Sequence, residues 1–172
     1  LLQMRRMYTV SGYREVVHAI RRQYPGFNLT TDVIVGFPGE DEAEFQRTLE
    51  LAEEIGFSHI HTFPYSRRAG TRAERMDAQG AEQEKQERSR RIRELSSRTK
   101  RQYRERFIGS RQRLLVERLE ESDGRVFARG LGEHYVPIRM EASARAERNS
   151  FIDVRITGIT ESEEPELIAE PI

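Results

Sequence analysis

The sequence predicts an α/β unit of parallel βα repeats, followed by a small antiparallel β-barrel of the OB type. Three observations carry this. Helical and strand-like segments alternate with tight connections up to Phe63. Near Phe107 the apolar spacing changes from a helical period to a period of two. Beyond it, five short strand-like segments are separated by turn residues.

The elements follow in order. Tyr13, Val16, Val17, Ile20 and Tyr24 fall on one helical stripe, with Thr9 or Ser11 as cap and Pro25-Gly26 as the stop. Leu29 to Val35 reads as a buried strand, and Gly36-Phe37-Pro38-Gly39 as the turn after it. A second helix starts at Asp41-x-x-Glu44, buries Phe45, Leu49, Ala52 and Ile55, and ends at Gly56. Phe57 to Phe63 is the next strand. Residues 64–80 form an Arg- and Gly-rich loop, and Ala81 to Arg106 a long charged helix with a sparse stripe of Ile92, Leu95, Thr99 and Tyr103. The strands expected after Phe107 are Arg111–Leu119, Gly124–Gly130, Tyr135–Met140, Phe151–Thr160 and Glu166–Ala169, with Ser122-Asp123-Gly124 as a hairpin turn. The expected domains are therefore 1–106 and 107–172. Two strands cannot make a parallel sheet covered on both faces. Either the sequence begins mid-domain or it pairs with another chain, and the opening Leu1-Leu2-Gln3-Met4 favours the first expectation.

Composition bounds the function. The chain has 172 residues, 36% hydrophobic and 34% charged. No apolar run is long enough to span a bilayer and no charged-then-apolar leader opens the chain, so a cytoplasmic protein without a membrane partner is expected. With no cysteine, this segment has no disulfide and no thiolate-held zinc or iron–sulfur cluster.

The net charge of zero hides an asymmetry. Residues 85–118 hold 13 Lys/Arg against 4 Asp/Glu, between two acidic stretches. A basic block of this kind fits either a polyanion contact or a solvated helix with internal ion pairs. At about 100° per residue, Arg90, Arg93, Lys100, Arg101 and Arg104 share one sector opposite Ile92 and Tyr103, with Glu87, Glu94 and Glu105 just outside it. An acid-free cationic stripe suits phosphate, so RNA contact is expected there.

The most informative stretch is Thr31-Asp32-Val33-Ile34-Val35-Gly36-Phe37-Pro38-Gly39-Glu40. A strand ending in Gly-x-Pro-Gly brings backbone close to a ligand at the C-terminal edge of a parallel sheet, although an ordinary βα turn uses the same residues. The decapeptide resembles the fifth-strand motif of radical S-adenosylmethionine (SAM) enzymes. Leu2-x-Met4-x-Arg6-x-Tyr8-Thr9 before it and Phe63-Pro64-Tyr65-Ser66-Arg67-Arg68-x-Gly70-Thr71-x-Ala73 after it resemble the methylthiotransferase branch. The terminal barrel is similar to a TRAM domain, so the resemblance covers essentially the whole chain. Phe-Pro-Tyr-Ser, Arg88-Ser89-Arg90-Arg91 and Tyr103-Arg104-Glu105-Arg106-Phe107-Ile108-Gly109 look most like the subgroup acting on threonylcarbamoyl-adenosine in the tRNA anticodon loop.

The resemblance implies the last βα units of a TIM-like radical SAM barrel, with SAM and two iron–sulfur clusters as cofactors. The cluster ligands would lie in an N-terminal remainder of the same enzyme, leaving this segment inactive alone. It also implies roles. Arg6 would reach SAM's charged or ribose oxygens, and Asp32 would accept from ribose hydroxyls. Gly36 and the backbone near Phe63 and Pro64 would line the adenine. Arg67, Arg68 and Arg72 sit where tRNA phosphates could approach, with ion pairs to Glu74 and Asp77 as the competing role. His59 and His61 alternate onto one strand face, but two histidines are a poor metal site. Three other functions stay open: a non-enzymatic RNA-binding module, the sibling methylthiotransferase subgroup acting on isopentenyl-adenosine, and a methylthiotransferase acting on a ribosomal-protein aspartate.

Overall fold

A computed structural model describes residues 1–142 and 146–172. The chain divides into two units, Leu1–Thr99 and Lys100–Ile172.

In the first unit, helix α1 (Val10–Gln23) starts where the Thr9 hydroxyl accepts the Gly12 N–H at 3.1 Å. Strand β1 (Thr30–Val35) leads into helix α2 (Glu42–Ile55), capped by Asp41, whose carboxylate accepts the Glu44 N–H at 2.7 Å. Gly56 ends α2 in the left-handed region at φ 60°, where a side chain would be strained. Strand β2 (His59–Pro64) follows, then a loop with one short 3-10 turn, then helix α3 (Glu82–Glu105).

Strands β1 and β2 pair in parallel, with Thr30 opposite His59 and Val35 opposite Pro64. Val17, Val35, Phe45, Ala52, Ile55, Phe57, Ile60, Ile92 and Leu95 form the buried cluster of this unit. The stripe expected on α1 is only partly used: Val17 is buried, whereas Val16 and Tyr24 are exposed. Burial on both faces, expected for Leu29–Val35, is corrected too. Side chains alternate along a strand. Val35 is buried, while Asp32 and Ile34, which point the other way, are exposed.

The second unit holds the end of α3 and strands β3 (Arg111–Ser122), β4 (Arg125–Leu131), β5 (Pro137–Glu141), β6 (Phe151–Ile159) and β7 (Leu167–Pro171). Each strand pairs with two others, and the sheet closes into a barrel in the order β3-β4-β5-β7-β6. The barrel is not wholly antiparallel, as the sequence reading expected: β5 and β7 run parallel. The reason is parity. Directions cannot alternate all the way round a ring with an odd number of strands, so one pairing must be parallel.

Asp123 and Gly124, at φ 53° and 71°, make the two-residue turn between β3 and β4, with Ser122 opposite Arg125. Both positive values match the hairpin turn that follows the right-handed twist of the strands. The β3–β4 register slips between Val116 and Arg118. Gly130 packs against that irregularity so closely that an added Cβ would sit 1.8 Å from the Leu115 carbonyl oxygen. Tyr103 and Phe107, ring edge to ring face at 5.3 Å, join Leu114, Val116, Ile138, Met140, Val154, Ile156 and Leu167 in the barrel core. Burial pushes the Tyr103 hydroxyl up to about 12.

Candidate functional site

The parallel register places Asp32 beside His61 and Ile34 beside Phe63. All four share one face of the two-stranded sheet and all are exposed, Ile34 by 37% and Phe63 by 48%. The face therefore juxtaposes a carboxylate, an imidazole and an apolar wall. His59 joins it, its ring 4.3 Å from that of His61 and nearly perpendicular, with Ser96 Oγ 3.5 Å from Nδ1. No group of three potential metal ligands occurs among the described residues.

The turn after β1 is built from sequence-distant parts. Gly36 is buried at φ 68° and donates its N–H to Glu40 Oε2 at 2.6 Å. The same carboxylate oxygen accepts from Arg88 Nη1 at 2.8 Å, and Arg88 Nη1 also donates to the Glu40 carbonyl at 2.9 Å. Arg88 pairs with Glu84 through its other terminal nitrogen and lies over the Phe45 ring. Burial holds the Glu40 carboxyl above its ordinary value, against the Gly36 N–H and Arg88, which pull the other way. Next to the turn, the Tyr65 N–H bonds the Val35 carbonyl at 2.9 Å and the Phe37 and Tyr65 rings meet edge-on at 5.5 Å. A Cβ on Gly36 would lie 2.4 Å from Lys85 Cγ, so the lysine stem already fills that side of the glycine.

These positions meet part of what SAM requires. Asp32 is an exposed acceptor for hydroxyls, Phe63 and Ile34 offer an apolar surface beside it, and Pro64 is exposed at the strand end. Arg6 stands apart in the segment before α1, exposed, its N–H bonded to the Leu1 carbonyl at 2.9 Å. With no cysteine in the sequence, these residues offer an iron–sulfur cluster no thiolate.

The basic residues separate into two groups. Arg67, Arg68 and Arg72 are exposed and, among the described residues, have no carboxylate within 4.0 Å. Glu74 instead accepts the Gly70 N–H at 2.7 Å, which fixes the loop. The α3 cations are mostly engaged, so the acid-free stripe expected there is corrected. Arg90 pairs with Glu87 at 2.6 Å and with Glu94. Lys100, expected on the exposed sector, has a side chain only 7% exposed and pairs with Glu164 at 2.6 Å. Arg101 bonds Glu105 at 2.9 Å and Glu161 at 2.7 Å, and Arg104 donates to the Pro165 carbonyl. Burial lowers the Arg104 pKa although Glu164 and Glu166 oppose it. Of the five, Arg93 alone is exposed without an ion pair among the described residues. Arginines reach acids three and four positions away, and the β6–β7 connection supplies two more, which a wheel drawn on one helix does not include.

The sequence reading missed Glu40 and Arg88 as a functional pair. The one available signal was an acid closing a Gly-x-Pro-Gly turn.

No protein-family model matches the chain. Curated proteins do. The threonylcarbamoyladenosine tRNA methylthiotransferase MtaB of Thermotoga maritima is 44% identical over 117 residues, 68% of this chain and 27% of that protein. The same-named protein of Bacillus subtilis is 47% identical over 79 residues, 46% of this chain and 18% of that protein. The tRNA-2-methylthio-N(6)-dimethylallyladenosine synthase of Acetivibrio thermocellus is 36% identical over 157 residues, 91% of this chain and 32% of that protein. The aligned stretches thus span about a third or less of these relatives' lengths. No helix among the described residues is long and apolar enough to cross a membrane. By these matches, and by the strand and turn that carry its most distinctive residues, the chain belongs to the radical SAM methylthiotransferase family.

Proposed function

We propose that this chain is the C-terminal part of a tRNA methylthiotransferase that adds a methylthio group to threonylcarbamoyl-adenosine in the anticodon loop. Residues 1–106 would end the TIM-like radical SAM domain, and residues 107–172 would be a TRAM-like OB barrel that holds the anticodon stem-loop. The N-terminal remainder of the same cytoplasmic enzyme would supply the cysteines for both iron–sulfur clusters. When bound, SAM provides the carbon radical and the methyl group.

The observation that carries this reading is the sheet face shared by Asp32, Ile34, His61 and Phe63. By the resemblance, the nucleoside cofactor would bind on this face, next to a turn whose backbone is fixed by Glu40 and Arg88. Asp32 would accept from ribose hydroxyls, while Phe63, Pro64 and the Gly36 backbone would flank the adenine. Arg6 would reach SAM's charged end from the segment before α1. Arg67 and Arg68, exposed in the loop after β2, would meet tRNA phosphates. Arg93 remains an available phosphate contact on α3, and Arg90, Lys100, Arg101 and Arg104 would have to exchange their present partners to act as such. The nucleoside assignment is supported by 44% and 47% identity to the threonylcarbamoyladenosine enzymes, over 117 and 79 residues, against 36% and 39% over 157 and 156 residues for two dimethylallyladenosine enzymes.

The test is to express the complete reading frame in a bacterium lacking its own tRNA methylthiotransferases and to digest its tRNA for nucleoside mass spectrometry. The expected product is the methylthio form of threonylcarbamoyl-adenosine. The isopentenyl-adenosine product would transfer the chain to the sibling subgroup. Unmodified tRNA alongside a methylthiolated ribosomal-protein aspartate would overturn the RNA substrate.

A further inference from the structure

The exposed face of β1 and β2 has two unlike halves. At its C-terminal end Ile34 lies beside Phe63 and the surface is apolar. At its N-terminal end Thr30 lies beside His59, and the next pair along is Asp32 beside His61. Side chains alternate along a strand, so Thr30, Asp32, His59 and His61 point to the same side as Ile34 and Phe63. Thr30 and His61 are exposed and His59 is half-buried. SAM, placed as proposed, takes up Asp32, Phe63, Pro64 and the Gly36 backbone. It leaves the two imidazoles without a role.

These rings are held from behind. Ser96 Oγ, on α3, accepts the Ile60 N–H at 2.9 Å and lies 3.5 Å from His59 Nδ1. The His59 ring meets the His61 ring nearly at right angles, with 4.3 Å between centres. His61 stands at the surface beyond it and forms no ion pair among the described residues, not even with Asp32, its neighbour in register. An imidazole carries at least one ring N–H. His61 is thus a donor braced on one side and open on the other.

We propose that His61 recognises the carboxylate of the threonylcarbamoyl group on the substrate adenosine, with His59 as the positioning residue behind it. The nucleosides named for the two kinds of relative differ in the group on N6. Threonylcarbamoyl ends in a carboxylate and carries a hydroxyl, whereas dimethylallyl is a branched hydrocarbon. A carboxylate taken out of water has to receive hydrogen bonds, and those it receives are strong. A hydrocarbon gains from apolar walls alone, and imidazoles covered by it would lose water for no return. Thr30, His59 and His61 therefore suit the first group and oppose the second. Asp32 repels a carboxylate beside it, so the substrate group meets His61 from the Thr30 and His59 side and leaves Asp32 to ribose hydroxyls. This inference rests on the threonylcarbamoyl-adenosine reading and names the residue that selects that nucleoside.

The test uses the complete enzyme, loaded with its clusters and SAM, and three anticodon stem-loop RNAs. One carries threonylcarbamoyl-adenosine, one its decarboxylated analogue with hydrogen in place of the carboxylate, and one isopentenyl-adenosine. For the parent, kcat/KM should fall about ten- to a hundredfold from the first RNA to the second, the worth of a hydrogen bond to a charged acceptor. His61→Leu should lose about the same factor on the first RNA and less than about twofold on the second, because both changes remove one contact. His61→Gln keeps an N–H donor and should stay within about fivefold of the parent on the first RNA. His59→Phe should cost about three- to tenfold on the first RNA and leave the second unchanged, a selectivity that a general loss of structure would not show. SAM affinity, read by calorimetry, should move less than about twofold in each variant. Equal losses on both RNAs in His61→Leu, or a parallel loss of SAM affinity, would assign the residue to the fold or the cofactor and overturn the inference. A parent indifferent to the carboxylate would overturn it too, and in all these cases the threonylcarbamoyl reading stands. A parent that modifies only the isopentenyl-adenosine RNA removes that reading and the inference together.

Discussion

Glu40 and Arg88, 48 residues apart, form a buried ion pair at 2.8 Å whose carboxylate also receives the Gly36 N–H at 2.6 Å. One side chain from the turn and one from α3 thus set the backbone at the end of β1. The Arg88 side chain is 3% exposed. Removing one partner of such a pair leaves the other charged and dry. Arg88→Met should therefore cost about 3–5 kcal/mol at neutral pH. Glu40→Gln, which leaves Glu84 beside Arg88, should cost about 1–3 kcal/mol. Urea unfolding measures both, and equal, small losses would mean that the pair is dispensable.

The same pair makes stability depend on pH in a direction opposite to most paired carboxylates. Burial holds the Glu40 carboxyl above 4.5, so between that value and its raised one the folded state keeps a proton the unfolded chain has lost. Stability contributed by this group is present below 4.5 and lost as pH rises through the raised value. Glu40→Gln should therefore gain on the parent as pH climbs from about 4 to about 7. Glu54 slopes the other way: Arg14 holds it below 4.5, so its contribution is present above 4.5 and fades as pH falls through the lowered value. That pair is exposed and its effect is screened. A difference between parent and Glu40→Gln that stays flat with pH would contradict the assignment.

The engaged cations of α3 should differ in what they cost when removed. Lys100 lies on the barrel side with its stem covered, and Glu164 is 72% exposed, so Lys100→Met leaves the acid hydrated and should change stability by about 1 kcal/mol or less. Arg101→Glu/Arg104→Glu places carboxylates against Glu161, Glu105 and the Pro165 carbonyl. That double variant should lose about 2–4 kcal/mol. A thermal melt of each settles the order, and a neutral double reversal would restore the solvent-facing stripe.

Asp32 is exposed on the sheet face and should matter to ligand and little to folding. In the complete enzyme, Asp32→Ala should raise the SAM concentration needed for half-maximal rate about tenfold, one hydrogen bond to a charged acceptor, with an unchanged melting temperature. An unchanged requirement would remove Asp32 from the cofactor site.

Much of this was legible wherever structure is decided locally. Thr9, Asp41 and Gly56 sit at helix ends because caps need their side chain or their lack of one. Ser122-Asp123-Gly124 made its hairpin because both turn positions require positive φ. The decapeptide Thr31–Glu40 carried the family. What escaped the sequence was set by partners far along the chain. Arg88 reaches Glu40, and Lys100 reaches Glu164, 64 positions on. The parallel β5–β7 pairing follows from ring closure, which no single strand announces. The exposure of Ile34 and Phe63 depends on what lies against their face, and a continuous apolar run reads the same covered or bare.

The pairing of β3 with β6 has a consequence in time. As the chain emerges from the ribosome, β3, β4 and β5 are available as a meander well before residues 151–159 exist. During that interval β3 offers an unpaired edge, and Leu115 lacks Phe151 across from it. Contacts so distant in sequence close slowly, in milliseconds to seconds for barrels of this kind. The nascent barrel therefore passes through an adhesive stage that the finished one does not share, and the charges of Arg111 and Arg113 on the outer side of that waiting strand are the sort that keep such an edge from pairing with another chain.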